Sequence, residues 1–330
     1  MAIGIGRRQF VSVLGGAAAT WPLVARAQEP MPVIGWLSGI SAEKSEPQLA
    51  AFRDALGELG YVEHRNLGIE YRWAEGRYDR LPAMAADLVA RRVAVIATGG
   101  GESPVLAAKA ATSTIPIVMI AGADPVQEGL VASFNRPGGN ITGATIFAQQ
   151  MESKRLGLLH EAAPKAKAVA ALFNAANPVL QFQLRDVRDA APRLGIELVI
   201  FYASTEAEFD GAFAAMVDRK IEALLVGADP FFNNSRARLI ALAAQHRLPA
   251  IYEWRDFAVE GGLMSYGTVK EDAYRQTGNY VGRILKGERP GDLPVVQPTR
   301  FQFVINLKTA KTLSLEFSPT LSARADEVVE

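Results

Sequence analysis

The sequence predicts an α/β protein of two doubly wound parallel-sheet lobes, joined by a hinge and separated by a cleft. Three observations carry this reading. Short β-rich runs alternate with helix-length amphipathic runs along most of the 330 residues. That alternation is the pattern of parallel sheets with helices on both faces. The pattern then starts again: five strand starts in the second half follow their counterparts by about 120 to 135 residues. The chain is also long enough, and with 49% hydrophobic residues apolar enough, for two lobes with separate cores.

In the first half, strand-like runs fall at 32–37, 67–71, 93–97, 115–120 and 141–147. Runs with apolar residues at helical spacing fall between them, at 46–59, 81–89, 104–111 and 126–134. The turn Arg136-Pro137-Gly138-Gly139-Asn140 precedes the fifth strand. In the second half the strands are 168–173, 196–201, 223–226, 250–252 and 263–266, with helices over 179–194, 207–217 and 236–246. Thr114-Ile115-Pro116-Ile117-Val118 is echoed by Arg247-Leu248-Pro249-Ala250-Ile251, each at the fourth strand of its half. The chain is expected to cross between lobes near Ile146-Phe147, near 266–268 and after Pro294, with a helix over 271–285 returning to the first lobe. Lobe 1 is then 28–146 with 268–295, and lobe 2 is 147–267. Residues 296–330 cross between the lobes or pack on them.

The first 27 residues read as an export leader. Arg7-Arg8-Gln9-Phe10 is followed by an uncharged run over 11–24 and by Ala25-Arg26-Ala27, a small-x-small cleavage site. The paired arginines before a phenylalanine mark a twin-arginine signal, which exports proteins already folded. A run of 14 residues is too short to span a bilayer, which takes about 20, so cleavage after Ala27 is expected rather than anchoring. Cleavage removes Arg7, Arg8 and Arg26 and no acid, moving the formal charge from 0 to about −3. A near-neutral chain has no electrostatic footprint for nucleic acid. With no cysteine there is no disulfide, thiolate metal site, cysteine nucleophile or lipoprotein anchor. The expected product is a monomer free in the periplasm, with no membrane anchor in its mature form and no metal or other cofactor.

In open α/β sheets ligands sit off the carboxyl ends of the strands. Six loops lie there. In lobe 1 they are Ser38-Gly39-Ile40-Ser41, Thr98-Gly99-Gly100-Gly101-Glu102-Ser103 and Ala121-Gly122-Ala123-Asp124-Pro125. In lobe 2 they are Asn174-Ala175-Ala176-Asn177-Pro178, Gly227-Ala228-Asp229-Pro230-Phe231-Phe232 and Glu253-Trp254-Arg255. Small residues let a ligand approach the backbone, and N–H groups opening helices attract anions. The same residues are ordinary turn formers and caps; the case for a site rests on six such loops at the same end of two sheets. Gly-Ala-Asp-Pro occurs twice, so Asp124 and Asp229 are each either a helix cap or the partner of a ligand ammonium. Phe231, Tyr252, Trp254, Ser265 and Tyr266 fall around lobe 2 and the hinge, where rings flank an apolar ligand or pack the core. His64, His160 and His246 lie away from these loops, and no nucleophile, phosphate-loop or metal motif appears. No enzyme is expected.

Several motifs together resemble a bacterial family, the ABC transporter substrate-binding proteins of the tryptophan/tyrosine-binding type, on the type I periplasmic binding protein fold. They are Val33-Ile34-Gly35-Trp36-Leu37-Ser38, Tyr71-Arg72-Trp73-Ala74-Glu75-Gly76, Asn135-Arg136-Pro137-Gly138-Gly139-Asn140-Ile141-Thr142-Gly143 and Gly227-Ala228-Asp229-Pro230-Phe231-Phe232. Gly262-Leu263-Met264-Ser265-Tyr266-Gly267, Ile284-Leu285-Lys286-Gly287-Glu288 and Phe303-Val304-Ile305-Asn306-Leu307-Lys308-Thr309-Ala310-Lys311 complete the set. The resemblance covers the whole chain after the leader. It implies capture of a small-molecule ligand and delivery to ABC permease membrane subunits, with no chemistry on the ligand. The same fold and leader also serve a sensor that presents its ligand to a membrane receptor and transports nothing. The ligand expected is a small carboxylate carrying an aromatic or apolar group: an amino acid, or an aromatic acid without the ammonium. Ser38, Gly39, Ser41 and the Gly99-Gly100 backbone, with Asn174 and Asn177 opposite, are the candidates to hold it. Tyr252 or Trp254 would cover its apolar part.

Overall fold

The computed structural model describes residues 31–147, 151–178 and 180–330. The leader expected over 1–27 lies outside the described residues. Residues 32–330 form one unit that contains both lobes.

Lobe 1 is built from β1 (Val33–Ser38), α1 (Ala42–Glu58), β2 (Gly68–Trp73), α2 (Leu81–Ala90), β3 (Ile96–Gly99), α3 (Glu102–Ala111), β4 (Ile117–Ala121) and β5 (Ile141–Thr145). Its strands pair in parallel in the order β2-β1-β3-β4-β5. The strands β1, β3 and β4 inside the sheet, and β5 at its edge, are buried almost throughout, which is why they read as continuous apolar runs rather than alternating ones. Ser41 caps α1 by accepting from the Lys44 N–H, the ordinary role of serine at that position.

Lobe 2 follows with α4 (Glu152–Ala162), β6 (Ala168–Phe173), α5 (Leu180–Ala190), β7 (Glu197–Tyr202), α6 (Glu206–Asp218), β8 (Ala223–Val226), α7 (Pro230–Asn234), α8 (Arg236–Gln245), β9 (Ala250–Tyr252), α9 (Arg255–Val259) and β10 (Met264–Thr268). The chain then makes α10 (Lys270–Leu285), β11 (Phe301–Asn306), α11 (Leu307–Thr312), α12 (Pro319–Ala323) and β12 (Glu327–Val329). The second sheet runs β12-β11-β10-β9-β8-β6-β7. Only β10 and β11 pair antiparallel in it. Thus β11 and β12 extend the sheet of lobe 2.

Helix α10 packs on α1 of lobe 1. At Gly278 a Cβ would come 2.3 Å from the Phe52 carbonyl oxygen, so the two backbones approach as closely as glycine alone allows. Three crossing segments lie together. Thr268 donates its hydroxyl to the Ile146 carbonyl at 3.3 Å. The Val269 N–H reaches the Arg300 carbonyl, and the Thr145 N–H reaches that of Val296.

One expected element is absent. Residues 126–134 form turns, not a helix. A first helical turn does begin: the Glu128 N–H bonds to the Asp124 carbonyl, and the Leu130 N–H to that of Pro125. Gly129 then takes φ +64°, a left-handed conformation that ends a helix. The apolar spacing that read as a helix serves instead to bury Leu130 and Val131 against the lobe 1 core.

Candidate ligand-binding site

A cavity opens between the two sheets at the carboxyl ends of their strands. Part of it is open to solvent. From lobe 1 it is lined by Ile40, Gly100, Gly101, Glu102, Ile120 and Gly122; from lobe 2 by Ala228, Asp229, Pro230, Asn233, Glu253 and Trp254. Ile146 from one crossing segment, with Lys270 and Tyr274 from α10, closes the hinge side. Ten-residue α3 starts in this wall, so the positive end of its dipole lies at the cavity. Gly100 at φ +75° makes the turn into it. At Gly99 a Cβ would lie 2.8 Å from the Trp36 ring and 3.1 Å from the Tyr274 hydroxyl. Glycine there lets Tyr274 reach the start of α3.

The lobes touch across the cleft. Asp229 accepts four hydrogen bonds: from the Tyr78 hydroxyl at 2.7 Å, Asn174 Nδ2 at 3.1 Å, Asn177 Nδ2 at 2.8 Å and the Phe231 N–H at 2.8 Å. Tyr78 belongs to lobe 1, and the other three donors to lobe 2. Burial raises the Asp229 carboxyl above its ordinary range while the four donors oppose the shift. Burial, with Asp229 beside it, holds the Tyr78 hydroxyl well above the usual tyrosine range. A second interlobe bond runs from the Ser41 N–H to Asn234 Oδ1 at 3.1 Å. Pro230 sits on the Gly39 and Gly101 backbone. This is a closed arrangement.

Polar groups facing the cavity divide by lobe. On the lobe 2 side Glu253 is 7% exposed and accepts no hydrogen bond from a described residue. Burial is the main reason its carboxyl is pushed up to about 8. Asn233 is also buried, and its Oδ1 has no partner among the described residues. On the α10 side Lys270 donates to Asp256 Oδ2 at 2.9 Å and lies 5.0 Å from the Trp254 ring centroid. One turn on, the Tyr274 hydroxyl has no bond to a described residue. Glu102 is buried at the start of α3 and accepts from the Ala123 N–H.

Of the residues selected from sequence, Gly100, Asp229 and Trp254 line this cavity. Ser38 is fully buried and its Oγ accepts the Ile40 N–H; the Ser41 Oγ caps α1. Gly39 and Gly99 shape the loops just behind the wall. Asp124 caps the turn after β4, accepting from the Val126 and Gln127 N–H groups. Asn174 and Asn177 hold Asp229 rather than the cavity. Phe231 packs on Phe209 and Phe232. Tyr252 is buried and stacked on Phe257. Ser265 is fully buried, its Oγ without a partner among the described residues. Tyr266 stacks on Phe301.

Sequence reasoning did not select Glu253, Asn233, Lys270 or Tyr274. Glu253 had a signal, since it precedes Trp254 in a loop already placed at the cleft. Lys270 and Tyr274 had a fainter one, as the first turns of a helix entered straight from a crossing segment.

A model of the ABC transporter substrate binding protein family matches residues 37–329. A curated relative is the tyrosine-binding protein of Clostridioides difficile (strain R20291), 28% identical over 285 residues, covering 84% of this chain and 81% of that protein. The fold superposes on an ABC domain from Streptococcus pneumonia solved in complex with L-Trp. There the TM-score is 0.81 at 23% identity, covering 90% of this chain and 99% of that one. It also superposes on the ligand-free, open structure of a substrate-binding protein with adhesive properties from Clostridium difficile. That match has TM-score 0.63 at 25% identity, covering 91% and 99%.

Proposed function

The chain belongs to the ABC transporter substrate-binding proteins, and from that premise we propose that it captures an aromatic amino acid between its lobes and delivers it to the permease subunits of an ABC importer. The observation that carries this reading is the cavity lined by both lobes, in which polar groups stand beside apolar side chains. The positive end of α3 and the Tyr274 hydroxyl suit a carboxylate, with Lys270, already held by Asp256, beside them. Trp254, Ile40, Ile120 and Ile146 supply an apolar bed for a ring. The named ligands of the two amino-acid-binding relatives fit the same dimensions of chemistry. The better superposition on a ligand-bound relative than on an open one supports a closed form like that of a loaded receptor. No residue here is asked to do chemistry on the ligand.

Titration calorimetry with L-tyrosine and L-tryptophan tests the reading. Saturable one-to-one binding of at least one is expected; failure of both to bind at millimolar concentration would refute it. We further propose that the protein works in the periplasm as a monomer without a membrane anchor, its leader cleaved after Ala27. Changing both Arg7→Lys and Arg8→Lys should leave the protein in the cytoplasmic fraction. An unchanged periplasmic yield would rule out the twin-arginine route.

A further inference from the structure

The amino-acid reading of the cavity leaves open whether the ammonium of the ligand is recognised, and the inference drawn here rests on that reading. Glu253 is more than nine-tenths buried, faces the cavity and is bonded to no described residue. A buried carboxylate left unpaired is costly, so a cation that completes it gains more there than at the surface. The nearby cations are engaged elsewhere. Arg155 pairs with Glu152 at 2.9 Å and donates to the Tyr266 carbonyl at 3.2 Å, while Lys270 is held by Asp256. Asn233 adds a buried oxygen with no donor among the described residues. Asp229 is not available, since its four acceptor positions are filled from within the protein. The charged lining groups are Glu102, Asp229 and Glu253 against Lys270 alone, so an anion without a compensating ammonium meets a mostly acidic wall.

We propose that Glu253 and the Asn233 side-chain oxygen form an ammonium site on lobe 2, which makes the protein select α-amino acids over the corresponding aromatic acids. The carboxylate of the same ligand faces α3 and α10. A zwitterion therefore bridges the two lobes, and its two charges are what hold them together.

Three probes separate the groups on the purified protein: L-tryptophan, 3-(indol-3-yl)propanoate, which lacks the ammonium, and tryptamine, which lacks the carboxylate. The unmutated protein should bind L-tryptophan at least tenfold more tightly than the propanoate. Glu253→Gln should weaken L-tryptophan about tenfold to a hundredfold, the range for a charge-assisted hydrogen bond, and leave the propanoate unchanged or tighter. Propanoate binding as tight as L-tryptophan overturns the inference on the unmutated protein, whether or not the variant folds. Equal L-tryptophan affinity in Glu253→Gln overturns it while the amino-acid reading stands. Tryptamine as tight as L-tryptophan, and lost in the variant, supports the ammonium site and overturns the carboxylate half of the underlying reading. Binding of none of the three overturns that reading and the inference with it.

Discussion

At position 253 a carboxyl group is buried without a bonded partner among the described residues, and that has consequences for stability as well as binding. Its folded-state carboxyl is pushed up to about 8 by burial, reinforced by Glu152 and Asp229 and opposed by Arg155 and Lys270. An exposed glutamate in the unfolded chain titrates near ~4.3. Between those values the folded protein holds a proton that the unfolded chain has released, so this residue lowers stability as pH rises and levels off above about 8. Glu253→Gln removes the penalty. Where Glu253 stays buried with the lobes apart, denaturant unfolding of the ligand-free proteins from pH 4 to 9 shows the variant gaining on the parent across that window. A constant offset would mean that its burial is completed only by closure of the lobes, and a loss above pH 8 that it is paired in a structural network. Its identity as a site residue was only half legible in sequence. The loop carrying it was placed at the cleft, but whether a carboxylate is paired depends on packing from elements far apart in the chain. Ser38 and Asp124 illustrate the converse: they stand in the right loops, and their oxygens are taken by nearby N–H groups.

Among the elements, the segment carrying Tyr78 enters α2 and reaches across to the loop that starts α7. The Tyr78–Asp229 bond exists only when the lobes are closed, since the other three donors to Asp229 come from lobe 2. A hydrogen bond to a charged group is worth about 1.5–3 kcal/mol. Water recovers part of it on opening, so Tyr78→Phe should weaken ligand binding about tenfold, mainly through faster release. The unfolding midpoint of the open, ligand-free protein should change little. Stopped-flow release rates check this; an unchanged rate with a lowered midpoint would assign Tyr78 to the core of its own lobe. Most strands were legible because buried parallel strands are short apolar runs between turn residues. Helix α4 was not, because its Glu152 and Arg155 look like surface residues. Both are fully buried as an ion pair, with the Glu152 carboxylate also taking the Ala228 N–H and Gln183 Nε2. That network fixes the loop leading to Asp229 from behind. The strands β11 and β12 were missed for a different reason: they join a sheet whose other members lie before α10, a long-range pairing that local patterning does not encode.

At the scale of the whole molecule, duplication was the clearest message of the sequence. Two runs of alternating strands and helices give two sheets whose carboxyl ends face one cavity, and three crossing segments let the lobes rotate as bodies. What sequence could not give was the state of that cleft, because closure is set by contacts such as Tyr78–Asp229 and Ser41–Asn234, each made by residues more than a hundred positions apart. The central claim is that an aromatic amino acid stabilises this closed arrangement, with carboxylate and ammonium on opposite lobes. Small-angle scattering measures closure directly, on the ligand-free protein and at saturation with whichever of L-tyrosine or L-tryptophan binds by calorimetry. The radius of gyration should be smaller with ligand, approaching the value calculated for the closed structure. An identical radius with and without bound ligand would contradict that claim.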